Sequence, residues 1–174
     1  IVYTGEFKND VFHGYGSYIS SIGNSYEGEW KFGKKNGKGI FKSSIGDQYN
    51  GQWEKDMRHG NGKYNYADGD QYNGEWQDDK IIGKGIYIFN NGSVCEGLFL
   101  DGELDGQGKF KFANGDNYIG EFKKGKNHGF GILTYSDGRK KVGEFKENKP
   151  WNVKEYDKFG NISGNYKNGS KQKN

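Results

Sequence analysis

The stretch that decides the fold runs from Tyr26 to Gln48 and reads YEGEWKFGKKNGKGIFKSSIGDQ. Its opening, from Tyr26 to Trp30, places aromatic and glycine residues at alternate positions with glutamates between them. A period of two is typical of a β-strand whose two faces differ. A second alternating segment, Gly37 to Phe41, predicts a second strand. Helical periodicity is absent, and glycine at this density would destabilise a helix.

The same pattern returns every 23 residues along the chain. Four glycine series with this period, which begin at Gly5, Gly14, Gly16 and Gly23, hold 25 of the 31 glycines. Self-similarity at a fixed period is the mark of a repeat architecture, in which each unit packs on its neighbours. Asp or Asn followed by Gly stands between units, as at Asp68-Gly69, and favours a hairpin turn. The sequence thus predicts an all-β array of consecutive hairpins.

The parity of these positions predicts the register at the turns between repeats. A turn with an odd number of residues keeps the aromatic positions of neighbouring strands on one face. We predict a turn of three or five residues with glycine in the left-handed conformation. Tyr87 would then lie opposite Gly97, and Gly85 opposite Phe99, so that each large ring faces a residue without a side chain.

This alternation gives the predicted sheet two unlike faces. It sends 21 of the 29 aromatic residues to one face. The opposite face carries a ladder of glutamates and lysines, such as Glu29 and Lys38, whose pairs contribute little each.

Composition limits the classes of protein that fit. The aromatic fraction of 17% and the net charge of only +3 indicate a folded chain. A single cysteine excludes a disulfide framework and fits a reducing compartment. No apolar run has transmembrane length, and no signal peptide is visible. The chain begins at Ile1 directly before a repeat, which suggests a fragment of a longer array.

No group of residues has the spacing that catalysis or metal binding requires. The three histidines share one repeat position and lie two and three repeats apart, roughly 20 and 30 Å; they are His13, His59 and His128. We interpret them as loop residues, and Cys95 as a small buried substitute for an aromatic residue. The glycines at 33–39 lack the spacing of a phosphate-binding loop. We therefore predict no catalytic residue, cofactor, metal or nucleic-acid partner.

The pattern Tyr-x-Gly-x-Trp, a loop, Gly-x-Gly and an Asp/Asn-Gly turn resembles the MORN repeat family. Six full repeats match it, at residues 3–25, 26–48, 49–71, 72–94, 95–117 and 118–140. A partial seventh extends to residue 148. Because the Gly-x-Gly is then lost, we predict a divergent capping element at 149–169 and a tail at 170–174. The resemblance implies an elongated, single-layer, twisted antiparallel sheet with an aromatic-lined groove.

The first functional hypothesis is a non-catalytic scaffold or adaptor that binds a partner protein, as a helix or an extended peptide, along this groove. The candidate groove residues are Tyr26, Trp30, Tyr49, Trp53, Tyr72 and Trp76. The alternative is that these rings pack only on each other and on glycine. The resemblance to radial-spoke head proteins of cilia and to cortical scaffolds implies a cytoplasmic place in a cytoskeletal or ciliary assembly. The partner could be a large complex or a second copy of the chain.

The fifth repeat departs from the pattern on the polar face. Leu98 stands where glutamate is expected, and Leu100 where a polar residue is usual. With Ile86 and Ile88 they would form a small apolar patch. The patch would be either a docking or dimer contact or ordinary surface scatter.

The second functional hypothesis is a membrane-targeting module for anionic phospholipids. Residues 139–174 carry a net charge of +6, against −3 for residues 1–138. The candidate lipid contacts are Arg139, Lys140 and Lys141. Because each basic group near an anionic surface contributes about 1 kcal/mol, such contact at the membrane periphery would be weak. An accessory domain of a larger enzyme is a further alternative.

Overall fold

A computed structural model describes residues 1–172 of the chain. That range contains sixteen strands and no helix. The chain divides into two compact units, Ile1–Asn90 and a second that begins at Asn91. Within each unit the strands follow one another in sequence order and pair antiparallel with their chain neighbours. The predicted all-β fold of consecutive hairpins is confirmed.

The first unit contains eight strands. They are β1 (Val2–Lys8), β2 (Val11–Ile19), β3 (Ser25–Lys31), β4 (Lys34–Lys42), β5 (Gln48–Glu54), β6 (Met57–Asn65), β7 (Gln71–Gln77) and β8 (Lys80–Ile88). The second unit also contains eight. They are β9 (Val94–Leu100), β10 (Glu103–Lys111), β11 (Asn117–Lys123), β12 (Lys126–Thr134), β13 (Lys140–Lys146), β14 (Lys149–Tyr156), β15 (Ile162–Lys167) and β16 (Ser170–Lys171).

A two-residue turn closes the hairpin inside each repeat. Between β3 and β4, Phe32 and Gly33 have φ of 51° and 78°. Two successive residues with positive φ are typical of the type I′ turn, whose twist matches that of the flanking strands. Lys55 and Asp56 form the equivalent turn one repeat later, with φ of 50° and 75°. The sequence marked this segment only as a loop, because neither Phe32-Gly33 nor Lys55-Asp56 is an Asn-Gly or Asp-Gly pair.

Glutamates of the polar face, such as Glu29, bond to the backbone of a bulge near the middle of the hairpin. On β3 and β4, Gly28 pairs with Gly39 but Trp30 pairs with Lys35, so residues 36–38 stand opposite Glu29 alone. The Glu29 carboxylate accepts the backbone N–H of Lys38 at 2.8 Å. It therefore caps the bulge backbone instead of pairing with a lysine ammonium, and the predicted charge ladder is corrected here.

The turns between repeats have an odd number of residues, as predicted. Tyr66 donates its backbone N–H to the carbonyl of Asp70 at 2.9 Å, which leaves residues 67–69 as a three-residue loop. Gly69, the last residue of that loop, has the predicted left-handed conformation with φ of 98°.

The register at these turns differs from the prediction by two residues. Across the 67–69 turn, Tyr64 pairs with Tyr72, Gly62 with Gly74, and Gly60 with Trp76. The predicted pairing of Tyr87 with Gly97 corresponds at this turn to Tyr64 with Gly74, and the prediction is wrong there. The physical reason is that the glycine ends the loop, whereas the predicted register placed it at the loop's centre.

The glycines nevertheless make room for rings, by a different route. Gly28 and Gly39 face each other within one hairpin, and the Tyr26 ring lies along that hairpin over both. A Cβ on Gly39 would overlap the phenol ring of Tyr26. Since glycine normally weakens a strand, its presence here is explained by the ring that covers it.

An aspartate at two successive inter-repeat turns of the first unit stabilises the next turn along the chain. Asp47 accepts the backbone N–H of Ala67 at 2.8 Å and the Tyr64 hydroxyl at 3.0 Å. Asp70 does the same one repeat later for Asn90 and Tyr87, at 2.8 and 2.7 Å. Burial, and then the hydrogen bond to Asp47, raises the pKa of Tyr64 to about 12.

The predicted capping element continues the sheet of the second unit. It forms β14 and β15, and Val153 on β14 is fully buried. The Glu155 carboxylate lies between the ammonium groups of Lys141 and Lys171, at 3.3 and 2.7 Å. Of the predicted tail 170–174, Ser170 and Lys171 form β16, and residues 173 and 174 lie outside the described residues.

Candidate partner-binding groove

The six predicted groove residues lie in the first unit and form one continuous chain of rings. Tyr26 and Tyr49 each contact two tryptophans edge-to-face, the one in their own repeat and the one in the next, and Tyr72 contacts Trp76. Tyr26 lies 5.0 Å from Trp30 and 5.4 Å from Trp53, between ring centroids. Tyr49 repeats this arrangement with Trp53 and Trp76 at 5.0 and 5.4 Å. Such T-shaped pairs are favoured by the ring quadrupoles and contribute about 0.5–1.5 kcal/mol each beyond burial.

The polar atoms of these rings are bonded to the sheet beneath them. The Trp53 indole donates to the Gly39 carbonyl of the preceding repeat at 3.1 Å. The Tyr49 hydroxyl donates to the Gln52 carbonyl of its own hairpin at 2.9 Å. The same bonds recur one repeat apart, so each repeat is joined to its neighbour through its tryptophan.

All six residues are buried, from 0% exposed for Tyr49 to 7% for Trp30. Burial raises the pKa of the Tyr26 and Tyr49 hydroxyls well above the usual tyrosine range. The predicted residues therefore form the floor of the groove and the core of the unit. Their role as the surface that touches a partner stays a prediction.

The open side of the groove is lined by other rings, which are half-buried. Phe12 lies 5.1 Å from Trp30, and Tyr64 lies 5.9 Å from Trp76, between ring centroids. Tyr18 and Phe41 occupy the same face on β2 and β4. These rings are held by the buried floor and still present part of their surface outward.

A variable repeat position, which sequence reasoning missed, places side chains over the tryptophans. Phe12, Lys35 and Arg58 occupy it in the first three repeats. The Lys35 ammonium lies 4.4 Å from the Trp53 ring centroid, 5.1 Å from Phe41 and 5.6 Å from Tyr26. The signal available in the sequence was variation at one position of an otherwise regular repeat.

The two cations at this position differ in their partners. Arg58 lies over Trp76 at 4.5 Å and also forms an ion pair with Asp79, Nε to Oδ1, at 2.8 Å. Asp56 and Asp79 each accept the backbone N–H of the cation's own residue, at 2.8 Å from Lys35 and 3.0 Å from Arg58, but only Asp79 also pairs with the side chain. Burial lowers the pKa of the Lys35 ammonium, and the neighbouring carboxylates only partly oppose this.

Two cavities open on either side of Lys35. One of 490 Å³ is bounded by Phe12, Tyr18, Trp30 and Phe41 together with Lys35. The other, of 240 Å³, lies between Lys35 and Arg58. The larger has the size and the mainly apolar lining of an ordinary ligand site, with Lys35 and Asp56 as its charged residues.

The residues of the predicted polar-face patch are partly exposed. In the first unit Ile86 is 38% exposed and Ile88 40%, and in the second unit Leu98 is 41% and Leu100 57%. A docking surface that combines them stays a prediction.

Two of the three predicted lipid contacts are already engaged with carboxylates. Arg139 Nε lies 2.7 Å from Asp137 Oδ2, and the Lys141 ammonium lies 3.3 Å from Glu155 Oε1. Lys140 is exposed. Lipid contact at these residues stays a prediction.

The described residues hold no cluster of histidine, cysteine, aspartate or glutamate arranged to bind a metal ion. The three histidines lie in strands β2, β6 and β12, which corrects their interpretation as loop residues. Cys95 is buried, as predicted. No helix within residues 1–172 is long and apolar enough to cross a membrane.

Comparison with known proteins agrees with this geometry. The MORN repeat model matches residues 3–25, 26–48, 49–71, 72–94, 95–117 and 118–138, the predicted repeats apart from the last two residues of the sixth. The SAS-4 (dCPAP) TCP domain of Drosophila melanogaster, solved with a proline-rich motif of Ana2 (dSTIL), is similar in fold. It has 17% identity and a TM-score of 0.53, over 86% of this chain and 82% of that one.

The Danio rerio CPAP TCP10 domain, solved with a peptide of STIL, matches at 13% identity and a TM-score of 0.42, over 88% and 74% of the two chains. The search of curated proteins gave no match. The repeat match extends over well more than half of the sequence and coincides with the hairpins of the structure. The chain belongs to the MORN repeat family.

Proposed function

We propose that this chain is a non-catalytic protein-binding scaffold whose first unit holds an extended segment of a partner along the aromatic groove. The observation that carries the proposal is a rigid floor with half-buried rings above it. Tyr49 and its neighbours fix the floor, while Phe12, Tyr18, Phe41 and Tyr64 remain partly open beside the two cavities.

This arrangement has the physical properties of a binding surface. Aromatic side chains supply a large contact area and lose little conformational entropy when a partner binds, because their rings are already held. Tyr and Trp are also the residues most often found at the energetic centres of interfaces. Because the tryptophan floor is fixed by hydrogen bonds such as that of Trp53 to Gly39, the groove needs little reorganisation to bind.

The Drosophila domain of similar fold was solved with a proline-rich motif, and this supports an extended segment as the occupant. The cytoplasmic, cytoskeletal or ciliary setting implied by the family resemblance is part of the same proposal. Membrane targeting has weaker support, because Arg139 and Lys141 already form ion pairs within the chain.

Photo-crosslinking tests the proposal without disturbing the core. A photoreactive phenylalanine replaces Phe41 in one variant and its neighbour Ile40 in the other. The two are adjacent and both half-buried on β4, but their side chains point to opposite faces. We expect a crosslinked partner from position 41 and none from position 40 in extracts of the source cells.

Equal crosslinking from both positions, or none from position 41 although the intact chain captures partners, would contradict the proposal. Alanine at Trp53 and Tyr72 is a poorer test, since both side chains are buried and their loss would unfold the unit.

A further inference from the structure

The charge at the centre of the groove indicates the chemistry of the occupant. Lys35 and Arg58 each lie over a tryptophan ring. Within the described residues, the Lys35 ammonium group contacts only rings. Arg58, in the same position one repeat later, has the Asp79 carboxylate as well. The pair therefore provides an internal comparison between a cation in direct contact with a carboxylate and one on which the neighbouring carboxylates, Asp56 and Asp79, act only through space.

The environment of Lys35 strengthens a hydrogen bond between its ammonium group and an anion from a partner. Its side chain is half-buried among Tyr26, Phe41 and Trp53, which keep water from part of the ammonium group. Asp56, the nearest carboxylate in the repeat pattern, is exposed and already accepts the Lys35 backbone N–H. Exposed charges are screened by solvent, whereas a charge-assisted hydrogen bond in a partly dry site is strong.

The two cavities indicate which side chain of the partner would lie next to that anion. The cavity of 490 Å³ has Phe12, Tyr18, Trp30 and Phe41 on its walls, so it suits an apolar side chain. Lys35 and Asp56 line it together, and both also border the second cavity of 240 Å³. A peptide that crosses the groove would meet the apolar cavity and the ammonium group in immediate succession.

We infer that the groove selects an acidic peptide, in which an aspartate or glutamate bonds to the Lys35 ammonium and an adjacent apolar side chain fills the larger cavity. This inference rests on the proposed function and adds the chemistry of the partner to it. A neutral proline-rich segment and a basic segment are the competing occupants, and each would appear as a different outcome of the test.

Selection from a random-peptide library displayed on phage tests the inference with the intact chain as bait. We expect the enriched peptides to carry Asp or Glu within one or two positions of an aromatic residue or leucine. A synthetic peptide of the selected sequence should bind about tenfold more tightly than its Glu→Gln or Asp→Asn version, since a charge-assisted hydrogen bond is stronger than a neutral one.

Variants assign this difference to Lys35. In Lys35→Met the apolar stem remains on the rings, and the acidic peptide and its amide version should bind equally. Lys38→Met, on the exposed polar face, should keep the full difference. Thermal unfolding followed by circular dichroism checks that both variants remain folded.

Each other outcome has a defined meaning. If peptides are selected and lose binding in Phe41→Ala, but show no acidic preference, the groove binds peptides and the inference is wrong. If the acidic preference persists in Lys35→Met, the inference is also wrong. If binding of every selected peptide is unaffected by Phe41→Ala, or no peptide is enriched, both the inference and the proposed function are wrong.

Discussion

Replacing Gly62 with alanine tests whether the in-strand glycines exist to accommodate tyrosine rings. A Cβ at Gly62 would overlap the phenol ring of Tyr49, which lies across it. The φ of Gly62 is not in the left-handed region, so alanine adds a steric conflict without backbone strain. The substitution therefore isolates the space beneath the ring as the variable.

The structure sets the size of the effect. The Tyr49 ring cannot move freely, because it contacts Trp53 and Trp76 at 5.0 and 5.4 Å and its hydroxyl is bonded to Gln52. Overpacking a fixed site costs about 1–3 kcal/mol. Displacing the ring would lose edge contacts of about 0.5–1.5 kcal/mol each. Alanine also lowers the entropy of the unfolded chain, which stabilises the folded state by about 0.4–1 kcal/mol. The net expectation is a loss of about 2 kcal/mol.

Thermal and urea unfolding of the variant, followed by tryptophan fluorescence and near-ultraviolet circular dichroism, measures this loss. For a chain of this length we expect Tm to fall by about 4–8 °C. Gly23→Ala is the control, because its Cβ would lie 3.6 Å from Ser44 in ordinary contact and adds only the strain of its φ of 86°. That control should cost about 1–2 kcal/mol through backbone strain alone, and this cost should not depend on Tyr49.

A double-mutant cycle decides the cause. In a Tyr49→Leu background the ring is gone, and Gly62→Ala should then be within about 0.5 kcal/mol of neutral. An undiminished cost of Gly62→Ala in that background would refute the argument that the glycine accommodates this ring.

Three further predictions concern hydrogen bonds and titration. Trp53→Phe removes the bond to the Gly39 carbonyl and should cost about 1–2 kcal/mol in urea unfolding, while a cost of zero would mean that the indole bond is unimportant. Glu29→Ala exposes the bulge N–H of Lys38 and should cost about 1 kcal/mol, whereas Glu29→Gln should be nearly neutral, because Gln52 natively caps the equivalent bulge at 2.8 Å. The pKa of Tyr64 is raised from 10.0 to about 12, so its contribution to stability is complete below pH 10 and is lost as the pH rises towards 12. The urea midpoint should fall over that range, and Tyr64→Phe should flatten the fall; an identical profile in Tyr64→Phe would contradict the assignment.

The candidate site was only partly predictable from the sequence. The tyrosines and tryptophans of the repeat were identified, but as the contact surface, whereas Tyr49 and Trp53 are buried in the unit. The half-buried rings of Phe41 and Tyr64, and the caged Lys35, needed the structure. Their exposure depends on which neighbours cover them, and those neighbours lie one repeat away in the chain.

What the sequence determined by itself follows from local geometry. The 23-residue period, the alternation about Tyr26 and Trp30, and the glycine of each inter-repeat turn define strands, faces and an odd-length loop. These depend on the side-chain period of a strand and on the backbone freedom of glycine, which act within a few residues.

The tertiary structure decided the register, the bulges and the charge of the groove. The three-residue turn shifts the pairing so that Gly62 faces Gly74, and the bulge turns the Glu29 carboxylate towards the backbone. The tertiary structure also brings the Lys35 ammonium over Trp53 of the next repeat, while Arg58 forms an ion pair with Asp79. Such contacts arise between residues far apart in sequence, and no local periodicity specifies which of two similar cations will find a carboxylate.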